Sequence, residues 1–169
     1  MKFNPVLAAV CFFMLVTLSS NLVADEKIMF HNIKRLSLDT ALTMAKAAID
    51  QCRKEGTQIA VTVLDRGGHA QAVLRDVFAS DITLTISHQK AYTAMMFNSP
   101  TVDIVGRFKG AYAVPKVDGI LVQQGGLPIL AGGTSFGGIG VSGSPDSKTD
   151  EICAQAGIDA IIDDLELSM

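Results

Sequence analysis

The side chains with the clearest chemical potential lie at helical spacing between residues 84 and 95. His88, Tyr92 and Met95 follow one another at intervals of four and three, and Leu84 lies four residues before the histidine. Residues three and four apart share one face of a helix, so an imidazole, a phenol and a thioether would stand together. These donors predict a ligand site in which His88 would contact the ligand. The alternative is a surface histidine that meets solvent or a neighbouring subunit, with Met95 in the core.

A glycine-rich run at residues 123–145 is the second feature that suits a ligand. Gly125, Gly126 and Pro128 open it, and so many residues without a Cβ indicate that backbone shape matters more here than side-chain chemistry. The run predicts two strands joined by a turn at 131–134, with the proline on an edge strand. It forms either a flat wall for a planar ligand or another subunit, or simply a tight hairpin. It contains no lysine, which excludes a phosphate loop.

Patterns for catalysis are weak. Ser142 is followed directly by Gly143, whereas a nucleophile elbow has one residue between its serine and the next glycine. Asp65 stands in a predicted turn, where an aspartate ordinarily bonds its own backbone. The other carboxylates form no evident pair for acid–base chemistry. The sequence therefore favours a binding protein over an enzyme.

Length and charge limit the class of protein. The chain has 169 residues and a net charge of −3, enough for one domain and too acidic for nucleic acid to be its main partner. Residues 1–24 have the pattern of a secretory signal: Lys2, an apolar stretch too short for a membrane span, and a small residue at Ala24. We therefore expect cleavage near Ala24, one domain at 25–169 without a membrane span, and a periplasmic or secreted location. An uncleaved anchor is the alternative.

Periodicity predicts the order of the elements. They are a helix from Ser37, strands at 59–64 and 69–75, helices at 80–97 and 101–108, a loop at 110–119, a strand at 120–123, two strands in the glycine-rich run and a helix at 147–165. Hairpins dominate and the alternation typical of a parallel sheet is absent. The order predicts an α+β fold, with a five-stranded, largely antiparallel sheet and helices packed on it.

Six short motifs occur in the order found in a known protein family. They are Val63-Leu-Asp-Arg-Gly-Gly-His69, Lys90-Ala-Tyr-Thr93, Phe97-Asn-Ser-Pro-Thr101, Gly125-Gly-Leu-Pro-Ile129, Gly138-Ile-Gly-Val-Ser-Gly143 and Asp150-Glu-Ile-Cys-Ala154. In this order the chain resembles the GlcG/HbpS family of haem-binding proteins, which is similar to the C-terminal domain of PduO-type cobalamin adenosyltransferases. The resemblance implies a profilin-like α+β fold, a homo-oligomer such as an octamer or another closed ring, and haem or another planar tetrapyrrole as ligand.

The resemblance gives the candidate donors a haem role. His88 would ligate the haem iron, and Tyr92 would bond a propionate or serve as a ligand itself. His69 follows the Gly67-Gly68 turn and is a second candidate for the iron, with a turn or interface role as its alternative. Met95 would add a soft contact to the porphyrin.

Basic residues are the candidates for the two haem propionates. Lys90 belongs to a family motif, and Arg107, Arg66 and Arg75 carry the charge that forms hydrogen bonds to carboxylates. For the arginines, solvated surface charges are the alternative.

Two cysteines, Cys52 and Cys153, remain once the signal is removed. An oxidising compartment allows one disulfide between them, and two buried free thiols are the alternative. In the profilin-like fold that the resemblance implies, the terminal helices pack on one face of the sheet. We therefore predict that these helices adjoin and that a Cys52–Cys153 bridge joins them.

Three functions follow as hypotheses. The first is an exported haem- or tetrapyrrole-binding protein, acting in haem uptake, storage or redox sensing. The second is an enzyme that degrades haem or transforms another small molecule. The third is an oligomeric interaction module without a dedicated ligand.

Overall fold

The computed structural model describes residues 29–108 and 114–169. The predicted signal at 1–24 therefore lies outside the described residues, as does part of the predicted loop at 110–119. Residues 29–33 belong to a separate unit and have no regular secondary structure, whereas one compact unit runs from Lys34 to Met169. Among the described residues, no helix combines the length and the apolar character needed to cross a membrane.

The compact unit alternates helices with hairpins. Its elements are α1 (Leu38–Lys54), β1 (Ala60–Asp65), β2 (Ala70–Arg75), α2 (Ile82–Phe97), α3 (Thr101–Ile104), β3 (Gly126–Ala131), β4 (Thr134–Ser142), α4 (Ser147–Asp159) and α5 (Ile162–Leu167). Ser37 caps α1 as predicted, because its side-chain oxygen accepts the Thr40 amide hydrogen at 3.1 Å. Arg53 and Lys54 lie in the last turn of α1, where positive charge complements the helix dipole.

The strands form one antiparallel sheet in the order β2-β1-β4-β3. The β1–β2 and β3–β4 hairpins meet where β1 pairs with β4. Pro128 lies on the edge strand β3 as predicted, where a residue without an amide hydrogen is tolerated. Gly132 and Gly133 form the turn between β3 and β4 with φ angles of 51° and 76°, the backbone of a type I′ hairpin. The predicted turn at 131–134 is confirmed.

Three predicted elements differ from the structure. The helix predicted at 101–108 is only the short α3, Thr101–Ile104. The sheet has four strands, because residues 120–123 form no strand. The amide of Leu121 instead donates to Thr93 Oγ1 at 2.8 Å, so the segment crosses α2 and pairs with no strand. The predicted last helix is two helices, α4 and α5, with a break after Asp159.

Helices cover both faces of the sheet. On one face α1 and α4 pack over Val61, Val63, Ile139 and Val141, and these side chains form the main apolar core. On the other face α2 lies against β1 and β4, with Thr62 Oγ1 2.9 Å from Ser87 Oγ. Both elements that carry candidate ligands, α2 and the β1–β2 turn, are therefore anchored to the centre of the sheet.

A disulfide joins the first and the penultimate helix. Cys52 on α1 and Cys153 on α4 are bonded, their Cα atoms are 5.5 Å apart, and both side chains are buried. The predicted bridge is confirmed. It closes a loop between positions 101 residues apart, so it restricts the unfolded chain strongly.

Candidate functional site

Two of the predicted ligand residues stand together on α2. The rings of His88 and Tyr92 are nearly parallel, with 9° between their planes and 6.5 Å between their centres. Both side chains are half-buried. The Tyr92 ring fits against two glycines, since a Cβ at Gly68 would lie 3.1 Å from its Cε2 and one at Gly119 3.7 Å from its Cδ1. Tyr92 therefore packs α2 against the β1–β2 turn and against the segment that follows residue 118.

Met95 is buried and does not extend this pair, and its predicted contact with a ligand stays a prediction. Its side chain is 7% exposed. A Cβ at Gly138 would lie 3.0 Å from Met95 Cβ, and one at Gly68 would lie 3.6 Å from its Cε. The thioether side chain thus fills the space between the sheet and the β1–β2 turn, because the helical face that carries Met95 points to β4.

Lys90 is also not available to a propionate. It is 1% exposed, and its Nζ donates to Asp150 Oδ2 at 2.8 Å and to the Val141 carbonyl at 3.0 Å. Asp150 Oδ1 accepts the Ser144 amide at 3.1 Å and the Ser144 hydroxyl at 2.6 Å. A buried charge requires such partners. Lys90 is therefore part of an internal ion pair, which uses the charge that was predicted for a propionate.

The glycine-rich surface is covered by α2. A Cβ at Gly126 would lie 2.3 Å from the Lys90 carbonyl oxygen, and one at Gly125 would lie 2.9 Å from Lys90 Nζ. Pro128 is buried beside them. Gly125, Gly126 and Pro128 thus pack inside the protein, and their predicted ligand contacts stay predictions. Because these glycines have no Cβ atom, the sheet and α2 can pack closely together.

Arg107 lies away from the His88–Tyr92 pair. It is exposed and donates to Ser99 Oγ at 2.8 Å, beyond the last residue of α2. His88 precedes that last residue, Phe97, by nine positions, which is about 13 Å along the helix axis. Arg107 therefore lies beyond the opposite end of α2 from His88.

The β1–β2 turn carries a second cluster of titratable groups. Asp65, 3% exposed at the end of β1, accepts the amide hydrogens of Gly67 at 2.8 Å and His69 at 3.0 Å. His69 Nδ1 lies 3.2 Å from Asp65 Oδ1, and Arg35 Nε lies 3.4 Å from Oδ2. The His69 side chain itself is 75% exposed. The aspartate was predicted to bond its own backbone, but its contacts with the imidazole and with Arg35 were not.

Asp65 stays ionised although it is buried. Burial raises the pKa of Asp65, but the amides of His69 and Gly67, the His69 ring and the Arg35 charge outweigh this effect. The pKa of Asp65 is therefore below its ordinary value. An anionic carboxylate thus stands behind the exposed imidazole at neutral pH.

Two cavities lie near α1, away from these groups. One of about 340 Å³ is bounded by α1, the link between α4 and α5, and α5, and Thr43 and Leu165 are among its lining residues. The other, of about 240 Å³, lies between α1 and β2 beside Ile49 and Leu74. Neither is lined by a histidine, so neither brings an imidazole to a ligand.

Fold and site together define an α+β domain with an antiparallel sheet, one exposed imidazole in a turn and one half-buried imidazole on a helix. The chain belongs to the HbpS-like family, because residues 36–159 match the family described as "Haem degrading protein HbpS-like". The match includes all strands of the sheet and helices α1 to α4. The family resemblance predicted from the motifs is confirmed.

Individual relatives agree with this assignment. The crystal structure of a double mutant of Streptomyces reticuli HbpS superposes with a TM-score of 0.76 at 32% identity, covering 82% of this chain and 95% of that chain. Protein GlcG of Escherichia coli K12 is 27% identical over 110 residues, which is 63% of this chain and 81% of GlcG. The crystal structure of a PduOC–haem complex gives a TM-score of 0.69 at 23% identity, covering 76% and 96%, and is a likeness of fold.

Proposed function

We propose that this protein is an exported haem-binding protein, with haem or another planar tetrapyrrole as its ligand. The observation that carries the proposal is the match of residues 36–159 to a family whose description names haem. The matched range contains both β1 with its turn and α2, and hence His69 and His88. Roles in haem uptake, storage or redox sensing belong to the same proposal.

The described side chains fit a haem better than a bare metal ion. Among residues 29–108 and 114–169, no three His, Cys, Asp or Glu side chains come together in a group that could hold a metal. A protein site for a bare transition metal usually supplies three or four such ligands. Haem iron needs only one or two axial side chains, and either His69 or His88 can provide one. A bound haem would supply the iron for redox chemistry, and the protein would supply the axial imidazole and cations for the propionates.

Export and self-association complete the proposal. The bridge between Cys52 and Cys153 supports an oxidising compartment, such as the periplasm or the exterior, because disulfides persist there. Val77, Phe78 and Ile82 are 75%, 83% and 58% exposed. Apolar side chains at such exposure support a homo-oligomer, such as an octamer or another closed ring, or contact with an apolar ligand.

Titration of the apo-protein with hemin tests the haem proposal. We expect a shifted Soret band that saturates at about one hemin per chain, because one axial ligand holds one iron. The double variant His69→Ala/His88→Ala is the matched control and should lose the shift. A wild-type spectrum identical to that of free hemin would reject the proposal. The mass in solution with and without hemin then shows whether assembly alone is the function.

Haem breakdown is a second candidate, favoured by the wording of the family description. Hemin-loaded protein would be exposed to peroxide or to a reductant with oxygen. Loss of the Soret band with release of iron and an opened tetrapyrrole would support an enzyme. A Soret band that decays no faster than that of hemin on serum albumin would support binding alone.

A further inference from the structure

His69 is an exposed side chain held in one orientation. An imidazole that is 75% exposed would ordinarily sample several rotamers, and fixing it has an entropic cost. Here Nδ1 lies 3.2 Å from Asp65 Oδ1 and 3.4 Å from Oδ2, so the carboxylate holds the ring by one edge. A carboxylate only accepts hydrogen bonds, so a hydrogen bond at this position requires the hydrogen on Nδ1. Nε2 lies on the opposite edge of the ring, away from Asp65.

The backbone of the turn contributes to this arrangement. A Cβ at Gly67 would lie 2.9 Å from both Cε1 and Nδ1 of His69, so glycine at this position lets the ring lie over the turn in the observed orientation. Asp65 in turn is fixed by two amide hydrogen bonds. Three independent features, a buried carboxylate, a glycine and the turn itself, hold one exposed imidazole. Such support is what a ligating histidine requires from its surroundings.

We propose that His69 Nε2 is the axial ligand of the haem iron and that Asp65 is its positioning residue. The assignment rests on the haem binding proposed above. A hydrogen bond from the second ring nitrogen to a carboxylate orients a metal-bound histidine and increases its basicity. No three metal-binding side chains form a group among the described residues. A single imidazole can still bind iron that a porphyrin already holds.

The surrounding charges suit the haem propionates. Arg35 Nε contacts Asp65 Oδ2 at 3.4 Å and its side chain is 58% exposed, so the guanidinium keeps hydrogen atoms free for an anion from solution. Arg66 is the next residue in the turn and is also exposed. Arginine is the side chain best shaped for carboxylate recognition. Arg66 was already a predicted propionate candidate, and the structure adds Arg35 to it.

His88, the ligand first predicted, lacks this support. Within the described residues its ring contacts the Tyr92 ring, and none of the hydrogen bonds found there involves its nitrogens. It therefore has no partner that selects a tautomer or strengthens a bond to iron. His88→Ala is the matched control for His69→Ala, since each removes one imidazole from the same domain.

The test compares hemin binding to the wild type, His69→Ala, His88→Ala and Asp65→Asn, with circular dichroism and thermal unfolding as checks of folding. We expect His69→Ala to weaken hemin binding at least tenfold and to lose the imidazole-ligated spectrum, and added imidazole should restore that spectrum. His88→Ala should stay within about twofold of the wild type. Asp65→Asn should keep the ligand, weaken binding about tenfold and raise the haem reduction potential, which a merely structural role would not change.

Two other outcomes overturn the assignment in different ways. If the wild type binds hemin and His69→Ala gives the same spectrum and affinity, His69 is not the ligand and the proposed function survives. If the wild type gives only the spectrum of free hemin, the proposed function fails and the assignment with it. The positioning by Asp65 has a readout without haem: nitrogen NMR should show hydrogen on Nδ1 of His69 in the wild type, and a ring that averages both tautomers in Asp65→Asn.

Discussion

Lys90 Nζ lies 2.8 Å from Asp150 Oδ2, although 60 residues separate the two in the chain. Both are buried, at 1% and 2% exposure, and they connect α2 to α4 at the end of β4. Gly125 leaves the space, since a Cβ there would lie 2.9 Å from Nζ. The ion pair accounts for a lysine and a glycine of the family motifs without any ligand.

The ion pair should be strongly coupled. Lys90→Met or Asp150→Leu alone should lower the free energy of unfolding by about 3–5 kcal/mol, because each leaves a buried charge without its partner. Lys90→Met with Asp150→Leu should lose clearly less than the sum of the single losses. A double-mutant cycle by urea denaturation measures this, and strictly additive losses would contradict a direct pair.

α2 packs closely on the glycines of β4, so adding one methyl group there should lower the stability of the fold. Gly140→Ala places a Cβ 2.1 Å from the Ser87 carbonyl oxygen, so we expect a loss of about 3 kcal/mol or failure to fold. Gly106→Ala is the control, because no atom lies within 4 Å of its Cβ position, and it should change stability by less than about 0.5 kcal/mol. Thermal unfolding distinguishes them. Equal stability of both variants would show that α2 does not lie on this surface.

The Cys52–Cys153 bridge should contribute substantially to stability. Cys52→Ala/Cys153→Ala should lower the free energy of unfolding by about 2–5 kcal/mol, since the bridge closes a long loop in the unfolded chain. Guanidinium denaturation with and without a reductant measures the loss, and in the reductant the two proteins should unfold alike. Two free thiols in the unreduced, denatured wild type would contradict the bridge.

Asp65 should stabilise the fold in a pH-dependent way. The pKa of Asp65 is lower in the folded chain, so its contribution is present above the unfolded pKa and is lost as pH falls through the folded value. Asp65→Asn should therefore cost on the order of 1 kcal/mol near neutral pH. The difference from the wild type should shrink as the pH is lowered below about 4. A difference that stays constant from neutral to acid pH would contradict an ionised Asp65 in the fold.

Local features of the fold could be predicted because their causes are local. The Ser37 cap and the Gly132-Gly133 turn each depend on a few adjacent residues. The strand predicted at 120–123 failed because a strand needs a neighbour, and the Leu121 amide found Thr93 instead. The Cys52–Cys153 bridge could be predicted because the family resemblance implied a fold in which the terminal helices adjoin. That implication concerns residues far apart in the chain, whereas local patterns do not.

The candidate site was harder to predict because burial is a tertiary property. Lys90 looks like a surface cation until Asp150, 60 residues away, is placed beside it. A glycine that makes room for a ligand and a glycine that makes room for a helix look the same in the sequence. Gly126 makes room for α2. The sequence shows that Asp65 and His69 lie on the two sides of one turn. The contact of Arg35 with Asp65 could not be predicted, because it depends on the path of the chain before α1.

Haem binding is tested most directly by the spectrum of the wild-type protein purified from cells supplied with haem. We expect a Soret band that copurifies with the protein and has the form of iron with an axial imidazole. A colourless protein that also leaves the spectrum of added hemin unchanged would contradict it.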